Sequence, residues 1–456
     1  MAACSLFNAP DDVVPPGGMG AGGGGAATSS TTTSSAGGGG TGGVEEGGGG
    51  MGGAPPAVCG DGVLAGAEAC DDGNVAAGDA CSATCEPVVF DVAADAGMGL
   101  LHEGPDVGSS GVDGGKGFAV VWRENHAGAY SIRSATYAAN GLPAGAPGTL
   151  FGPTDSLDPP RLGSNAVHRS VVAWRGMSDN TLRVHGLNPD GTPLAGGPQL
   201  IPASQSLAIS DVAAKSSGEL CLVWLAPSGA INVKARCTDP EGSIASSVTQ
   251  SIGSGTTAGT PGLWSAGDRF IAAWNEAAGT DILKARTLNA AGVPQGMTFL
   301  LAGNGHLNLS PAGTPVGPIG HVAIFEQVFG TGASTYTRMT KREFQAPDAS
   351  SVLDSFVSSS ADHDEEGATV VAAHGQFVVA WTDNDVGSGD ILAQVFDGRG
   401  MKVGPPIQVN QTAPDGTQRL AKVAANEDGD VMFVWQSEHA GLLKVSALIS
   451  PRLLAR

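Results

Sequence analysis

Short apolar runs that end in an aromatic residue recur along the chain. The run SVVAW ends at Trp174, FIAAW ends at Trp274 and FVVAW ends at Trp381. Such near-continuous apolar runs are typical of strands that are covered on both faces. The pattern therefore predicts buried strands that repeat within one architecture.

The aromatic residue at the end of each run marks one unit of a longer repeat. Successive aromatic landmarks are separated by roughly 50 to 56 residues, a period typical of β-propeller blades rather than of a helical repeat. We therefore predict an all-β fold, a seven-bladed β-propeller. Its expected blade-core aromatics are Trp122, Trp174, Trp224, Trp274, Phe325, Trp381 and Trp435.

Each unit has the pattern of four strands. A weak strand such as AKVAAN (421–426) leads into the strong aromatic-ended strand, and a third strand and a last strand such as PIQVN (406–410) follow. The unit around Phe325 lacks both the tryptophan and the glycine turn, and we interpret it as a degenerate fifth blade. An additional tryptophan, Trp264, falls on the first strand of blade four, where we expect it to pack.

The two ends of the repeat predict how the ring closes. The last unit stops after LLKVSALIS (442–450), one strand short of four, whereas PVVFDV (87–92) precedes blade one and has the pattern of a last strand. Pairing these two segments would hide a strand edge that is otherwise exposed. We therefore expect residues 87–92 to complete blade seven.

The N-terminal part of the chain differs in composition from the repeat. Residues 15–57 consist almost wholly of Gly, Ala, Ser, Thr and Pro, which provide too little apolar surface to offset the entropy of ordering. We predict four segments: an N-terminal segment (1–14), a disordered linker that acts as a tether (15–57), a cysteine-rich module (58–86) and the propeller (87–456).

The opening residues Met1-Ala2-Ala3-Cys4 resemble the end of a bacterial lipoprotein signal, where the cysteine is cleaved and lipidated. The hydrophobic and basic segments expected upstream are missing from the sequence. Two interpretations follow: Cys4 is lipidated and the start is misassigned, or Cys4 is an ordinary thiol.

The net charge of −21 over 456 residues disfavours nucleic acid and anionic lipid surfaces as partners. No apolar run approaches the roughly 20 residues that a membrane-spanning helix needs, so we predict no transmembrane segment. We expect a monomer.

The seven cysteines separate into three groups. Four lie in one cluster and two lie in blade three, so six can pair while Cys4 is left over. This arithmetic favours an oxidising compartment. The six cysteines expected in disulfides are Cys59, Cys70, Cys81, Cys85, Cys221 and Cys237.

The cluster reads CGDGVLAGAEACDDGNVAAGDACSATC over residues 59–85. A segment this short cannot bury a core, so it needs cross-links or a metal to fold. It is either a disulfide knot with polar turns or a module that also binds calcium through hard oxygen ligands. The candidate calcium ligands are Asp61, Asp71, Asp72, Asn74 and Asp79.

The phrases CGDG, CDDGN and GDxCSxxC in residues 59–85 resemble the myxococcal cysteine-rich repeat. That module occurs in secreted and surface proteins and is related to calcium-binding repeats, so the resemblance implies an exported protein. Ala80 stands where the family usually has glycine. The propeller units resemble repeats of large bacterial secreted and surface proteins, a resemblance that implies architecture and no reaction.

Cys221 and Cys237 flank the turn APSGA in blade three. A loop of residues 228–230 would set the two cysteines opposite each other, where Cβ atoms are about 4.5–5.5 Å apart and a bridge can form. The alternatives are a disulfide or, in a cytoplasmic protein, two buried thiols.

Function has to be argued from a site, because one fold serves many functions. Propellers usually bind at the face formed by loops that leave the second strand and by loops that link blades, and here these loops are rich in carboxylates. They form either a solvated acidic rim or a ligand face. The ligand-face candidates are Glu124, His126, Asp179, Glu276, Asp383, Asp385, Asp390, Glu438 and His439.

Two loops of blade six could bind a metal. DNDVGSGD (383–390) has carboxylates at spacings near those of a calcium loop, and His363 lies in the acidic loop ADHDEEG (361–367). Both have the simpler interpretation of solvated surface loops.

No GxSxG, HExxH or phosphate-cradling motif is present, and the sialidase pattern is not visible. We therefore predict a surface-exposed or secreted binding or adhesion protein, either an outer-membrane lipoprotein or a secreted protein. Its expected partner is a cell-envelope or extracellular protein or carbohydrate. Two alternatives stay open: a secreted propeller enzyme that acts on carbohydrate through paired carboxylates, and a passive structural protein of the cell envelope.

Overall fold

The structure is a computed structural model that describes residues 58–454 apart from short gaps. The predicted lipobox-like segment and tether (1–57) therefore lie outside the described residues. The gaps are 62–69, 71–74, 76–80, 93–99, 155–156, 166–168, 202–207, 216–217, 229, 240–242, 245–246, 256–258, 278–280, 304–307, 318–319, 331–334, 346–349, 359–363, 385–388, 412–415 and 440.

Twenty-eight strands account for almost all of the regular structure of the described residues. A single 3-10 turn, Val112–Gly115, is the one helical element named among the described residues. The first thirteen strands are β1 (Phe90–Asp91), β2 (Leu100–Ser110), β3 (Gly117–His126), β4 (Ala129–Tyr137), β5 (Gly148–Thr154), β6 (Arg161–Ser164), β7 (Ser170–Gly176), β8 (Thr181–Leu187), β9 (Gln199–Ile201), β10 (Ala208–Ala214), β11 (Leu220–Ser228), β12 (Ala230–Cys237) and β13 (Gln250–Ser254).

The remaining strands continue the same order of short, mostly buried segments. They are β14 (Gly262–Ala266), β15 (Arg269–Ala277), β16 (Asp281–Leu288), β17 (Pro294–Ala302), β18 (Asn308–Val316), β19 (Gly320–Phe329), β20 (Tyr336–Gln345), β21 (Ser350–Phe356), β22 (Glu365–Ala373), β23 (Gln376–Asp383), β24 (Asp390–Phe396), β25 (Lys402–Gln408), β26 (Thr417–Ala425), β27 (Val431–His439) and β28 (Leu442–Ser450). No helix in the described part of the chain is long and apolar enough to cross a membrane.

The strands form seven antiparallel four-stranded sheets, which confirms the predicted seven-bladed propeller. Blades one to six each use four consecutive strands, starting with β2, β6, β10, β14, β18 and β22, and blade seven is β26, β27, β28 and β1. The first strand of each blade contacts the first strand of the next, and β26 contacts β2. The sheets are therefore arranged in a closed circle around these innermost strands.

Each interface between neighbouring blades contains one aromatic landmark. Trp122 packs among residues of blades seven and one, Trp174 among those of blades one and two, and Trp435 among those of blades six and seven. The same holds for the other four landmarks, and all seven are almost fully buried. Both faces of every blade are thus covered, which explains the continuous apolar runs in the sequence.

Blade five keeps four strands although its landmark is a phenylalanine, as the interpretation of a degenerate blade predicts. The interface between blades four and five compensates with other rings. Trp264 packs there beside Phe325 and Phe344, and the Trp264 and Phe344 ring centroids are 6.4 Å apart. Gly313 of β18 lies against the Trp264 ring, where a Cβ atom would be only 2.4 Å from it. The additional tryptophan therefore fills an interface.

An N-terminal strand closes the ring, as predicted, but it is shorter than residues 87–92. Only Phe90 and Asp91 pair with β28, opposite Ala447 and Ser446, and the Val92 amide donates to the Val445 carbonyl at 2.9 Å. Pro87 instead forms an isolated bridge with Cys81. Proline has no amide hydrogen to donate to the strand ladder of blade seven. Pro87 therefore pairs with the cysteine-rich module and not with β28.

Closure is supported by side chains as well as by the strand ladder. Val92 is buried in the interface of blades seven and one, and the Tyr137 hydroxyl donates to the Val92 carbonyl. The Phe90 and Tyr137 ring centroids are 5.3 Å apart, and the Lys444 ammonium is 2.6 Å from the Asp91 carboxylate. Residues 90–92 are therefore part of the propeller core.

Three disulfides are present in the structure. Cys59 is bonded to Cys85 and Cys70 to Cys81, so the module closes one bridge inside another. In blade three, Cys221 lies directly opposite Cys237 in the pairing of β11 with β12, and the two are bonded. The first two bridges lie before the propeller, whereas the third lies in the interface of blades three and four.

We predict that the closing strand is required for a stable propeller. Deleting residues 1–92 exposes the interface around Val92 and removes the ladder to β28, whereas deleting residues 1–86 leaves both in place. A buried valine contributes about 1.5–3 kcal/mol and each hydrogen bond about 1 kcal/mol, so the longer deletion should lower the free energy of unfolding by about 3 kcal/mol or more. Urea unfolding of the two deletions provides the measurement, and equal stability would contradict the closure.

We also predict that the blade-three disulfide stabilises the propeller. Its two cysteines are 16 residues apart, and cross-linking a loop of about that length contributes about 3 kcal/mol by restricting the unfolded chain. The double variant C221A/C237A should unfold at correspondingly lower urea concentration. The matched control C59A/C85A removes a bridge outside the propeller and should leave the propeller transition unchanged.

Candidate functional site

The candidate face is the end of the propeller where each second strand ends and each innermost strand begins. Antiparallel pairing brings these positions together, as in the pairs His102 with Glu124 and Asp383 with Glu365. Most of the ligand-face candidates lie at this end. The described members are Glu124, His126, Asp179, Glu276, Asp383, Asp390, Glu438 and His439.

Four carboxylates of this face, in blades one, two, four and seven, are paired with cations of their own blade. Glu276 forms an ion pair with Lys284 and accepts a hydrogen bond from the Ser254 hydroxyl at 2.8 Å. Asp179 forms an ion pair with Arg183, and the hydrogen bond from Arg183 lowers the pKa of Asp179. In each pair, the acid lies on the second strand or in the turn that follows it, and the cation lies on the third strand of the same blade. The two acids are therefore held apart in separate blades.

Blades one and seven repeat the arrangement with longer contacts. Glu124 lies 3.4 Å from the Arg133 guanidinium and 3.3 Å from Nε2 of His102, whose pKa is lowered by burial against the opposing effect of Glu124. Glu438 lies 3.7 Å from Arg419. In blades one, two, four and seven the acids of the rim therefore belong to local ion pairs.

The loop DNDVGSGD of blade six is described only at its two ends. Asp383 is buried and lies directly opposite Asp390 across β23 and β24, and the Asn410 amide donates to Asp390 at 3.4 Å. Asp385 and His363 lie outside the described residues.

One of the five candidate calcium ligands of the cysteine-rich module lies among the described residues. Asp61 is exposed, and the other four candidate ligands, Asp71, Asp72, Asn74 and Asp79, lie outside the described residues. The sulfurs of Cys59, Cys81 and Cys85 lie within 4.8 Å of one another, but each is bonded in a disulfide. They are therefore not thiolate ligands.

A ring of equivalent positions lies in the channel at the centre of the propeller. In every blade, one residue of the innermost strand pairs with the residue just before the aromatic landmark, as Asp106 pairs with Val121 and Lys422 with Val434. We call these seven residues the channel ring. They are Asp106, Arg161, Asp211, Gly262, Ala312, Thr369 and Lys422.

The channel ring surrounds a cavity of about 510 Å³, which six of its members line. The seventh, Gly262, has no side chain. Five of the ring positions follow directly on a shift in strand register, for example between Glu103 and Asp106 and between Arg419 and Lys422. Such bulges redirect a side chain and are common beside functional sites.

The two ring carboxylates tie neighbouring blades together. Asp106 accepts the amides of Val107 and of Leu162 in blade two, both at 3.0 Å. Asp211 does the same in blades three and four, where it accepts the amides of Val212 at 2.9 Å and Leu263 at 2.8 Å. Burial nevertheless raises the pKa of Asp211 to about 6.

The two ring cations face the same cavity. Arg161 donates to the Pro160 carbonyl at 3.3 Å. Burial lowers the pKa of Lys422, as does the nearby Arg161, while Asp106, Asp211 and Glu326 act in the opposite direction. These groups therefore influence one another electrostatically across the channel.

A second unpredicted feature is an aromatic cluster on the candidate face of blade five. Phe329 ends β19 and pairs directly with Tyr336 at the start of β20, with parallel rings 5.5 Å apart. Phe356 at the end of β21 is 38% exposed and lies 6.0 Å from Phe329. The Arg338 guanidinium lies 3.5 Å from the Phe356 ring centroid. We call these four residues the aromatic cluster.

Sequence reasoning missed both features, although each left a signal. A charged residue within an otherwise apolar innermost strand, such as Lys422 in AKVAAN, is unusual for a core strand. Tyr336 is one of only three tyrosines in the chain. Its neighbours in space, Phe329 and Phe356, are distant in sequence, so only the pairing of the strands brings them together.

Two side chains just after the aromatic landmarks connect blades near the channel. Glu326 of blade five accepts the amide of Gly367 in blade six at 2.8 Å, and Gln436 of blade seven accepts the amide of Gly104 in blade one at 3.1 Å. Both glycines have positive φ angles of 67° and 55°, the left-handed region that favours glycine. Burial raises the pKa of Glu326 to about 7.

Comparison with known proteins identifies the fold but no family. No protein-family model matches the sequence, and no curated protein matches it significantly. The similarity of the module to the myxococcal repeat therefore stays a prediction.

Solved structures resemble the chain at low sequence identity. A polysaccharide lyase of a new family, an ulvan lyase, has a TM-score of 0.50 and 10% identity over 78% of this chain and 94% of that chain. The propeller domain of the Trilobed protease from Pyrococcus furiosus, described as having an open velcro topology, has a TM-score of 0.46 and 9% identity over 76% and 95%. The NanB sialidase from Streptococcus pneumoniae has a TM-score of 0.44 and 8% identity over 81% and 71%. The similarity to the lyase shows a shared fold alone.

We predict that Glu326 makes the propeller less stable at high pH. Its pKa, about 7 in the folded protein, lies above the ordinary value of 4.5, so its favourable contribution is complete below pH 4.5 and is lost as the pH rises through 7. Glu326→Gln keeps the acceptor oxygen without the charge. Between pH 5 and pH 8.5 the stability of the variant should rise relative to the native protein by up to about 3 kcal/mol.

The reciprocal variant Gln436→Glu is the control for this effect. It introduces a carboxyl group at the equivalent position of blade seven and should create a new loss of stability with rising pH. Urea unfolding at several pH values measures both effects. Identical pH profiles for all three proteins would contradict the assignment to Glu326.

Proposed function

We propose that the protein is an extracytoplasmic binding protein whose propeller holds a carbohydrate on its candidate face. The observation that carries the proposal is the aromatic cluster of Phe329, Tyr336, Arg338 and Phe356 on blade five. The three disulfides are consistent with an extracytoplasmic location.

The composition of the chain makes the aromatic cluster distinctive. Only 5% of the residues are aromatic, and most of the large rings are fully buried in the interfaces between blades. Phe356, by contrast, is 38% exposed beside two further rings at the end of one blade. An exposed group of this kind costs solubility unless it has a partner.

The chemistry of the cluster suits a sugar. The face of an aromatic ring carries partial negative charge and attracts the polarised C–H groups of a pyranose, which also has hydroxyls for a neighbouring donor. Arg338 provides such donors beside the Phe356 ring. Tyrosine and arginine are also the residue types that dominate binding energy in many interfaces.

The arrangement of the carboxylates in blades one, two and four favours binding over hydrolysis. Glycoside hydrolysis needs two carboxyl groups about 5–10 Å apart across one sugar bond, with one of them free to donate a proton. Glu124, Asp179 and Glu276 lie in three different blades, and each is paired with a cation of its own blade. The similarity to the lyase concerns the fold and adds no argument for a reaction.

The predicted lipid anchor at Cys4 and the calcium ions of the cysteine-rich module belong to this proposal as further expectations. An anchored N-terminus followed by a linker would present the propeller away from the membrane surface. Calcium would order the acidic loops of the module.

We predict that Phe356→Ala weakens binding to a carbohydrate ligand found by glycan-array screening about tenfold or more, because it removes the most exposed ring of the cluster. Met297→Ala is the control, since Met297 is 89% exposed on the outer strand β17 of blade four and should leave affinity unchanged. Isothermal titration calorimetry measures both affinities.

The same experiment separates the alternative functions. Release of sugar fragments from a bound polysaccharide, lost on substitution of one propeller carboxylate, would indicate an enzyme. Equal affinities of Phe356→Ala and the native protein would contradict the cluster as the binding site. Absence of any carbohydrate ligand and of turnover would favour the passive structural role.

A further inference from the structure

The channel ring divides into a charged half and an uncharged half. Blades seven, one, two and three contribute Lys422, Asp106, Arg161 and Asp211 in consecutive order around the circle. Blades four, five and six contribute only Gly262, which has no side chain, and Ala312 and Thr369, whose side chains are short and uncharged. The space of the cavity is therefore bordered by charges on one side and by small groups on the other.

The two carboxylates of the charged half are held in place by hydrogen bonds. One oxygen of Asp106 and one of Asp211 accept an amide of their own strand, and the other oxygen of each accepts an amide of the next blade. Carboxylates that accept two backbone amides are held in fixed positions. Their structural role is to tie blade one to two and blade three to four.

Lys422 differs from these acids. No hydrogen bond and no ion pair within 4.0 Å joins its ammonium group to any residue that the structure describes. Lys422 is half-buried and lines the cavity, where water or an anion can supply the oxygen atoms that an ammonium group without a direct acceptor lacks. Arg161 lines the same cavity as Lys422 and lowers the pKa of Lys422.

We propose that the central channel contains an anion-binding site in which Lys422 and Arg161 hold the carboxylate of a small organic monoanion. The site is separate from the aromatic cluster and does not depend on the proposed carbohydrate binding. Arg161 suits the planar carboxylate because a guanidinium can donate two parallel hydrogen bonds, while Lys422 adds a compact positive charge.

The size of the cavity limits the ligand. A volume of about 510 Å³ lies within the range of sites for small molecules, so a single acidic sugar unit or a comparable organic acid fits, whereas a protein segment with regular structure does not. The small residues of blades four to six leave the space for the uncharged part of the ligand.

The charge balance selects a monoanion over a dianion. Two cations and two carboxylates in the ring sum to zero when all are ionised, so each negative charge of a ligand adds an uncompensated charge, and a monoanion adds fewer of them than a dianion. Protonation of Asp211, whose pKa is about 6, makes the ring more positive at lower pH. Glu326, with a pKa of about 7, acts in the same direction.

The test compares D-glucuronate with D-glucose, which differ by one negative charge, in calorimetric titrations of the full-length protein. Glucuronate should bind, glucose should bind at least tenfold more weakly, and the glucuronate affinity should increase several-fold between pH 7.5 and pH 5. Inorganic phosphate, largely a dianion at pH 7.5, should bind at least tenfold more weakly than glucuronate.

Variants assign the site to the channel. Lys422→Gln should weaken glucuronate binding at least tenfold, Lys422→Arg should retain it, and Arg161→Gln should weaken it to a similar extent. Lys234→Gln removes the same charge from the third strand of blade three and should have no effect. Circular dichroism and urea unfolding establish that each variant is folded.

Three results would overturn the proposal. These are absence of glucuronate binding to the native protein, equal affinities of Lys422→Gln and the native protein, and tighter binding of phosphate than of glucuronate. Loss of binding in Phe356→Ala together with retention in Lys422→Gln would place the acidic sugar on the aromatic cluster and would likewise exclude the channel. Failure of the aromatic cluster to bind carbohydrate leaves the channel prediction unaffected.

Discussion

The propeller depends on one interaction repeated in every interface between blades: a large aromatic ring of the second strand packs against the preceding blade. A sheet that is covered on both faces has no solvated side, so its stability comes from burial of apolar area, of which a tryptophan supplies more than any other side chain. Phe325 is smaller, and the interface that it occupies contains Trp264 and Phe344 as well. The interface around Phe325 is thus filled by additional rings even though the repeat is degenerate there.

This interaction also explains how far the sequence could predict the fold. The aromatic landmarks are visible because each ends a strand that must be apolar at nearly every position, and their spacing gives the number of blades. The limits of the strands are less visible. The closing strand is two residues long rather than six because Pro87 pairs with the cysteine-rich module. This pairing depends on tertiary contacts and not on the local sequence pattern.

The candidate site could be predicted only in part, because it depends on register. The face on which the carboxylates lie follows from the order of strands, but their ion pairs with Arg133, Arg183 and Lys284 depend on which residues of the third strand oppose them. The channel ring depends on bulges in the innermost strands, each of which shifts the pairing by one or more residues. A sequence without a known register does not indicate which of Arg419, Lys422 or their neighbours faces the channel.

The position of the closing strand has a mechanical consequence. It follows the cysteine-rich module directly in the chain. The module is cross-linked by two nested disulfides, which a pulling force on the chain does not open. A pulling force applied to the N-terminal side therefore passes through the module and reaches the propeller at the ladder between β1 and β28. Blade seven is the place where tension along the chain would first be resisted by noncovalent contacts.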